Sequence, residues 1–472
     1  MLHVKNFIRL VNICFCTAFI AGCGDSSNTP QNPSIVSFQA TPSIISKGQS
    51  TMLNLDFNSG RGFVSDGVAS KLTFGNATTI KPTATTTYSL TVTNPKGVTI
   101  SASALVTLSP IQGRFSSVFS PGNPLGTTIF ARDNHTATLL PRSGKVLLVG
   151  GVAANTGGLQ FYNNAELFDP ATGTSTQTTG SMAYPSALHT ATLLNDGTIL
   201  ITGGWSGVAH KDVQIYDPFA DTFTAVGPMQ FARSAHTTIL LNNGKILITG
   251  GFDGAASLAS AELYDPGTKT FTDTGSMHIA RSAHTATLMN NGKVLIAGGT
   301  LNDPRCELYD PDTGTFTLTG NMTFARNNHT ATLLSGGTNA KVLIAGGSSG
   351  ANAELYDPVS GTFALTNSMT VLRTFLTATL LEDTRVMLAG GSGDNSAEFY
   401  DPNTRTFAGP VILLDPGTVK PMPFLLMNEV RSSNTATLLP KGTILSNGTA
   451  LLHDMVLIVG GTGAKNKAEL FR

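Results

Sequence analysis

Seven pairs of adjacent glycines are spread along the last two thirds of this chain, each in nearly the same setting. They are Gly150-Gly151, Gly203-Gly204, Gly250-Gly251, Gly298-Gly299, Gly346-Gly347, Gly390-Gly391 and Gly460-Gly461. Successive pairs lie 44 to 53 residues apart, except for a last gap of 70. A period of that size means one supersecondary unit copied many times, each copy burying its apolar face against the next.

The copy from Ala280 to Gly320 is the cleanest. Strand His284 to Met289 leads through the turn Asn290-Asn291-Gly292 into Lys293 to Ala297, which ends at the glycine pair. Cys306 to Tyr309 forms a third strand, Asp310 to Gly314 a turn, and Thr315 to Leu318 a fourth. Four short antiparallel strands make one propeller blade. The glycine pair, the following tyrosine and the aromatic after a turn together resemble the kelch repeat. That resemblance covers about three quarters of the chain and implies an all-β, seven-bladed kelch-type β-propeller over residues 113–472. In the family the last aromatic is usually tryptophan. Here it is Phe223, Phe271, Phe316, Phe363 and Phe407.

The ends bear on closure. The seventh repeat stops at Ala468 to Arg472, which matches a third strand. Upstream of the first repeat, Gly113-Arg114-Phe115-Ser116 matches Gly314-Thr315-Phe316-Thr317. The strand at Phe115 is therefore expected to complete the last blade and remove its open edge.

The first 22 residues read as a secretory signal. Lys5 and Arg9 precede an apolar run from Leu10 to Ile20, shorter than the ~20 residues needed to span a bilayer. Ile20-Ala21-Gly22-Cys23 resembles the lipobox of bacterial lipoproteins, which implies lipidation at Cys23 and membrane attachment through several acyl chains. Gly24, with Asp25 one place later, favours the outer membrane, on either its periplasmic or its surface side. Residues 23–33 are a polar tether. Residues 34–109 carry alternating strands such as Thr87 to Val92, and Pro82 to Asn94 resembles the penultimate strand of bacterial immunoglobulin-like domains; a small β-sandwich is expected.

Cys14, Cys16, Cys23 and Cys306 are the only cysteines, so a mature chain keeps none to pair with Cys306. Net charge is zero and charged residues make up 12%, which gives no electrostatic case for nucleic acid. A monomer is expected.

Several residue types recur once per repeat. His135, His189, His236, His284 and His329 open first strands, with Leu376 and Asn434 in the last two copies. They read as packing or turn-fixing residues, since rings from separate blades lie too far apart for one ion at ~2 Å bonds. No metal or other cofactor is expected. Three residues earlier stand Arg132, Arg233, Arg281, Arg326, Arg373 and Arg431; Glu166, Glu262, Glu307, Glu354, Glu398 and Glu469 recur on the third strand. The second repeat alone has Ser186 and Gln214 in these places. That joint loss points to a structural pair in each blade, such as Arg281 with Glu307 and Arg326 with Glu354; a ring of anion-binding arginines is the alternative.

No residue stands out as catalytic. Galactose oxidase is an enzymatic relative in the kelch family, but besides the five repeat tyrosines this chain has only Tyr88, Tyr162 and Tyr184, with Tyr88 in the first domain, and the copper site is not carried over. The informative irregularities are insertions on one end of the blades: Tyr162 in the first, Trp205, His210 and Lys211 in the second, and Phe424 and Met427 in the connection 408–433. These six are the candidate binding face for a protein or glycan, with the long connection either exposed or folded over the channel. An oxidoreductase or other enzyme at the channel mouth is the alternative.

Overall fold

The computed structural model describes the strands between residues 35 and 108, strand 115–116, and residues 126–471 apart from 392–394, 409–424, 428 and 464–465. Cys23, Phe424 and the tether lie outside the described residues. The chain divides into two compact units, Met1–Gln112 with Val411–Pro421, and Gly113–Pro410 with Met422–Arg472.

The first unit holds two sheets. One has three strands, ordered Ile35–Thr41, Thr51–Phe57, Ala77–Ile80. The other has five, with Thr86–Thr93 paired between Thr99–Leu108 and Arg61–Val64. Leu90 and Val92, two residues apart, are both fully buried, as one face of a half-buried strand requires.

The second unit is a kelch-type β-propeller. Among the described residues its strands form seven four-stranded blades, of which the fourth is Thr285–Leu288, Val294–Ala297, Arg305–Asp310 and Thr315–Asn321. The innermost strands neighbour one another around the whole circle, the seventh touching the first. Each second strand is buried along its length, as in Val294–Ala297, because both of its faces meet another blade. That is why these segments read as unbroken apolar runs, without alternation.

The core accordingly lies between blades. Leu147, Val149 and Ala165 of the first blade pack with Ile199, Ile201 and Tyr216 of the second. Val146, Leu148 and Phe168 of the first blade pack with Leu457, Val459 and Leu470 of the last, so the circle is sealed by the same apolar contact as every other joint.

The last blade contains Thr435–Leu439, Met455–Val459 and Lys467–Phe471. Its fourth strand is Phe115–Ser116, with Phe471 opposite Phe115 and Leu470 opposite Ser116. A second short strand, Gly126–Thr127, pairs antiparallel with Lys467 and Ala468 and parallel with Thr174 of the first blade, so it staples first blade to last. Deleting residues 113–118 is expected to lower the melting temperature by more than about 5 °C, because the cut opens an apolar edge at the seam. Thermal unfolding with size-exclusion chromatography checks this; an unchanged transition and a monomeric profile would contradict the closure.

Candidate binding face

The glycine pairs end the second strands at one end of the propeller, where the chain turns left-handed. At Gly250 φ is 58°, and a Cβ there would sit 2.6 Å from the Arg281 carbonyl oxygen and 2.8 Å from His284 Cε1. Only glycine lets the next blade approach this closely.

What approaches is the histidine of the following repeat. His284 Nε2 meets the hydroxyls of Thr237 at 3.0 Å and Thr249 at 2.9 Å, both in the preceding blade. His236 does the same with Thr190 and Thr202. His189, His329 and His135 meet Thr136, Thr285 and Thr435, so His135 ties the first blade to the last. All five rings are buried, and burial pushes their pKa down, to about 4 for His189 and about 3 for His284 and His329. The rings are wedges between blades. Where the repeat has Asn434, both polar side-chain atoms lie without a hydrogen-bond partner among the described residues.

The arginines lie beneath these wedges. Arg281 Nη2 is 3.2 Å from Glu307 and Arg326 Nη2 is 2.9 Å from Glu354, all four side chains fully buried. Arg132, Arg233, Arg373 and Arg431 meet Glu166, Glu262, Glu398 and Glu469 at 2.7 to 2.9 Å. Each guanidinium also donates to the first carbonyl of its glycine pair, as Arg281 does to Gly298 at 2.7 Å. Each carboxylate accepts a backbone N–H from the incoming loop, as Glu307 does from His278 at 2.7 Å. Buried this way, the arginines present nothing to an anionic ligand. In the second blade Ser186 Oγ donates to the Gly203 carbonyl and Gln214 accepts from the Ala183 N–H. Both hydrogen-bonding duties survive there without either charge, which explains why the two residues change together.

The aspartates of the Tyr-Asp-Pro turns accept backbone N–H groups two residues on, for instance Asp310 from Asp312 at 3.0 Å. The tyrosines pack at a tilt against the repeat phenylalanines, as Tyr309 does against Phe316 with centroids 4.8 Å and ring planes 47° apart.

The residue before each histidine position adopts a left-handed backbone. Asn134, Leu188, Ala235, Ala283, Asn328, Phe375 and Ser433 have φ between 49° and 57°. Each N–H donates to the carbonyl of the equivalent residue in the preceding blade, and Asn134 donates to Ser433, so seven bonds of 2.8 to 3.3 Å form a closed belt at the channel mouth. Leu188 and Phe375 are bulky for such a conformation and are exposed. None of these seven positions holds glycine, so the sequence carried no signal for the belt.

Tyr162, Trp205, His210 and Lys211 all lie on loops at this same end. Tyr162 is half-buried against Phe130, with the Arg132 guanidinium 5.6 Å from its ring. Trp205 is half-buried against Phe252 of the third blade, centroids 6.1 Å apart. His210 stacks on exposed Tyr184 at 5.7 Å and meets Ser206 Oγ at 2.7 Å, and Lys211 is exposed.

Met427 is a correction. It is 2% exposed and packs with Phe399, Ile458 and Phe471 in the core between the last two blades. It occupies a repeat position shared with Met182, Met229, Met277, Met322 and Met369, all buried, four residues before the arginine position. That fixed spacing was readable in the sequence; reading Met427 as part of an irregular loop hid it.

Residues 233–278, one full repeat, match the family model described as Kelch motif. Among solved structures, a fungal alcohol oxidase of the AA5 family in complex with copper aligns with a TM-score of 0.56 and 18% identity over 75% of this chain and 76% of that chain. No curated protein sequence matches this chain. The structural likeness is one of fold.

Proposed function

We propose that this kelch-type β-propeller is a non-catalytic binding module that uses its glycine-pair end to hold a protein or glycan outside the cytoplasm. In this reading an immunoglobulin-like spacer and a lipid anchor at Cys23 present it at the bacterial outer membrane.

One observation carries the binding reading. Among the described residues, ten of the sixteen exposed large apolar side chains project from this end, including Ile129, Tyr184, Leu188, Phe231, Leu301 and Phe375. Four, including Phe219, lie at the opposite end, where Lys245, Lys293 and Lys341 are paired with aspartates. Apolar and aromatic side chains crowded onto one rigid face, with little Lys or Glu among them, have the composition of an interface centre.

A copper oxidase at the channel mouth fits these residues poorly. The histidines that a mouth site would draw on bond threonines across the blade joints, and the repeat tyrosines are packed against phenylalanines. Cys306 is fully buried, and burial pushes its thiol up to about 12.

Immobilised protein incubated with solubilised cell envelope is expected to retain a discrete partner. Phe231→Ser with Phe375→Asn should abolish that retention, and Phe219→Ser, at the opposite end, should leave it intact. Equal retention by all three proteins would refute the assignment of the face, and stoichiometric copper in the purified protein would favour the oxidase.

A further inference from the structure

We infer that blades two to five carry a binding strip for a neutral oligosaccharide, which rests on the binding-face reading above and narrows it to one ligand class. The strip begins at Trp205, whose ring packs on Phe252 and passes within 3.6 Å of the position a Cβ on Gly254 would take. Phe252 is bridged to Ser257 across its own loop, and Ser257 Oγ lies 3.0 Å from Ser282 Oγ of the next blade. There the surface opens into a groove of ≈ 520 Å³ lined by Ser257, Ser282, Thr300, Leu301, Asn327 and Asn328 with small residues between them.

The chemistry of the lining selects the ligand. It offers hydroxyls, side-chain amides and backbone groups, and none of its residues is ionisable. Of the neighbouring carboxylates, Asp253 accepts two N–H groups of its own turn on one oxygen, and Asp303 is paired with Arg305 at 2.6 Å. Within the groove lining itself an anionic ligand would find no cation and a cationic one no carboxylate. Sugar rings present apolar C–H faces that lie flat on aromatic and aliphatic side chains, with hydroxyls around the rim. Trp205 at one end and Leu301, 77% exposed, at the other supply such platforms. The hydroxyl- and amide-lined groove supplies the directed polar contacts that fix orientation. Continuity across four blades suits several linked sugar units better than one.

Trp205 is the one tryptophan of the chain and reports on its own site. Titration with defined neutral gluco-, manno-, xylo- and galacto-oligosaccharides is expected to shift its emission to the blue with at least one of them, with matching calorimetric heats. Trp205→Ala and Leu301→Lys should each weaken that affinity about tenfold or more, while Trp205→Phe, which keeps an aromatic platform, stays within about threefold. Leu301→Lys alters an exposed residue and leaves the fluorophore in place, so it reads binding independently of folding. No heat or emission change with any neutral oligosaccharide up to millimolar concentration would overturn the inference. So would unchanged affinity in both variants, or preferential binding of anionic oligosaccharides. If envelope retention survives on the wild-type face while the titrations are silent, the glycan inference has failed and the binding face stands; if both are silent, both have failed.

Discussion

Lowering the pH from 7 to 5 is expected to unfold the propeller, not merely to soften it. Five imidazoles are wedged between blades, and burial holds their folded-state pKa values far below the ordinary 6.5, with further lowering by neighbouring arginines such as Arg281 beside His284. The unfolded chain therefore binds more protons than the folded one as soon as pH falls below 6.5. Stability is fully present above that value and is lost as pH falls toward the folded values of about 3 to 4. By pH 5 His189, His284 and His329 cost about 2 kcal/mol each, about 6 kcal/mol together, and His135 and His236, lowered in the same direction, add to a loss comparable with the whole stability of many domains. Urea unfolding at pH 7, 6 and 5, followed through Trp205 fluorescence, checks the expectation. His236→Leu, which copies the leucine that the sixth blade uses at Leu376, is expected to be less stable at pH 7. It should also lose about 1.4 kcal/mol per pH unit of the slope below pH 6. A flat stability between pH 7 and 5 would show that the rings charge without breaking the joints.

The second large effect concerns the buried ion pairs. Arg281→Ser alone strands the Glu307 carboxylate, and Glu307→Gln alone strands the guanidinium; each is expected to cost about 3–5 kcal/mol. The double variant recreates the Ser–Gln combination that the second blade holds with Ser186 and Gln214, where neither partner is charged and both backbone contacts persist. It should therefore cost clearly less than the sum of the singles, with a coupling of at least about 2 kcal/mol in a double-mutant cycle. Additive losses would mean that each side chain acts alone, through its own backbone hydrogen bonds.

Much of the architecture was legible because the repeat exposes it. Glycine pairs at a fixed period gave the blade and its count. The match between the segments at Phe115 and Phe316 pointed to the strand that joins chain ends. Comparison between copies also set Arg281 beside Glu307, since a position that changes only with another invites a physical link. What the repeat could not reveal lies between copies. The position of His284 recurs in sequence, but its partners, Thr237 and Thr249, belong to the preceding blade, and no spacing within one repeat points backward. The belt of left-handed residues was hidden for another reason: asparagine, leucine, alanine, phenylalanine and serine occupy its positions, and the conformation is imposed by the ring. Met427 shows the opposite error. A long connection drew the eye to irregularity where a repeat position continued unchanged.

The strand that seals the circle also dictates when folding can finish. Ser116 must wait for Leu470, 354 residues later, before its edge is covered. Closing so long a loop is slow, and until it happens the first and last blades each leave an apolar flank in water. A nascent chain can stack its middle blades as they emerge, but the ring closes only after Leu470 has been made and has reached Ser116. That order makes the interval just before closure the time of greatest exposure to aggregation and proteolysis.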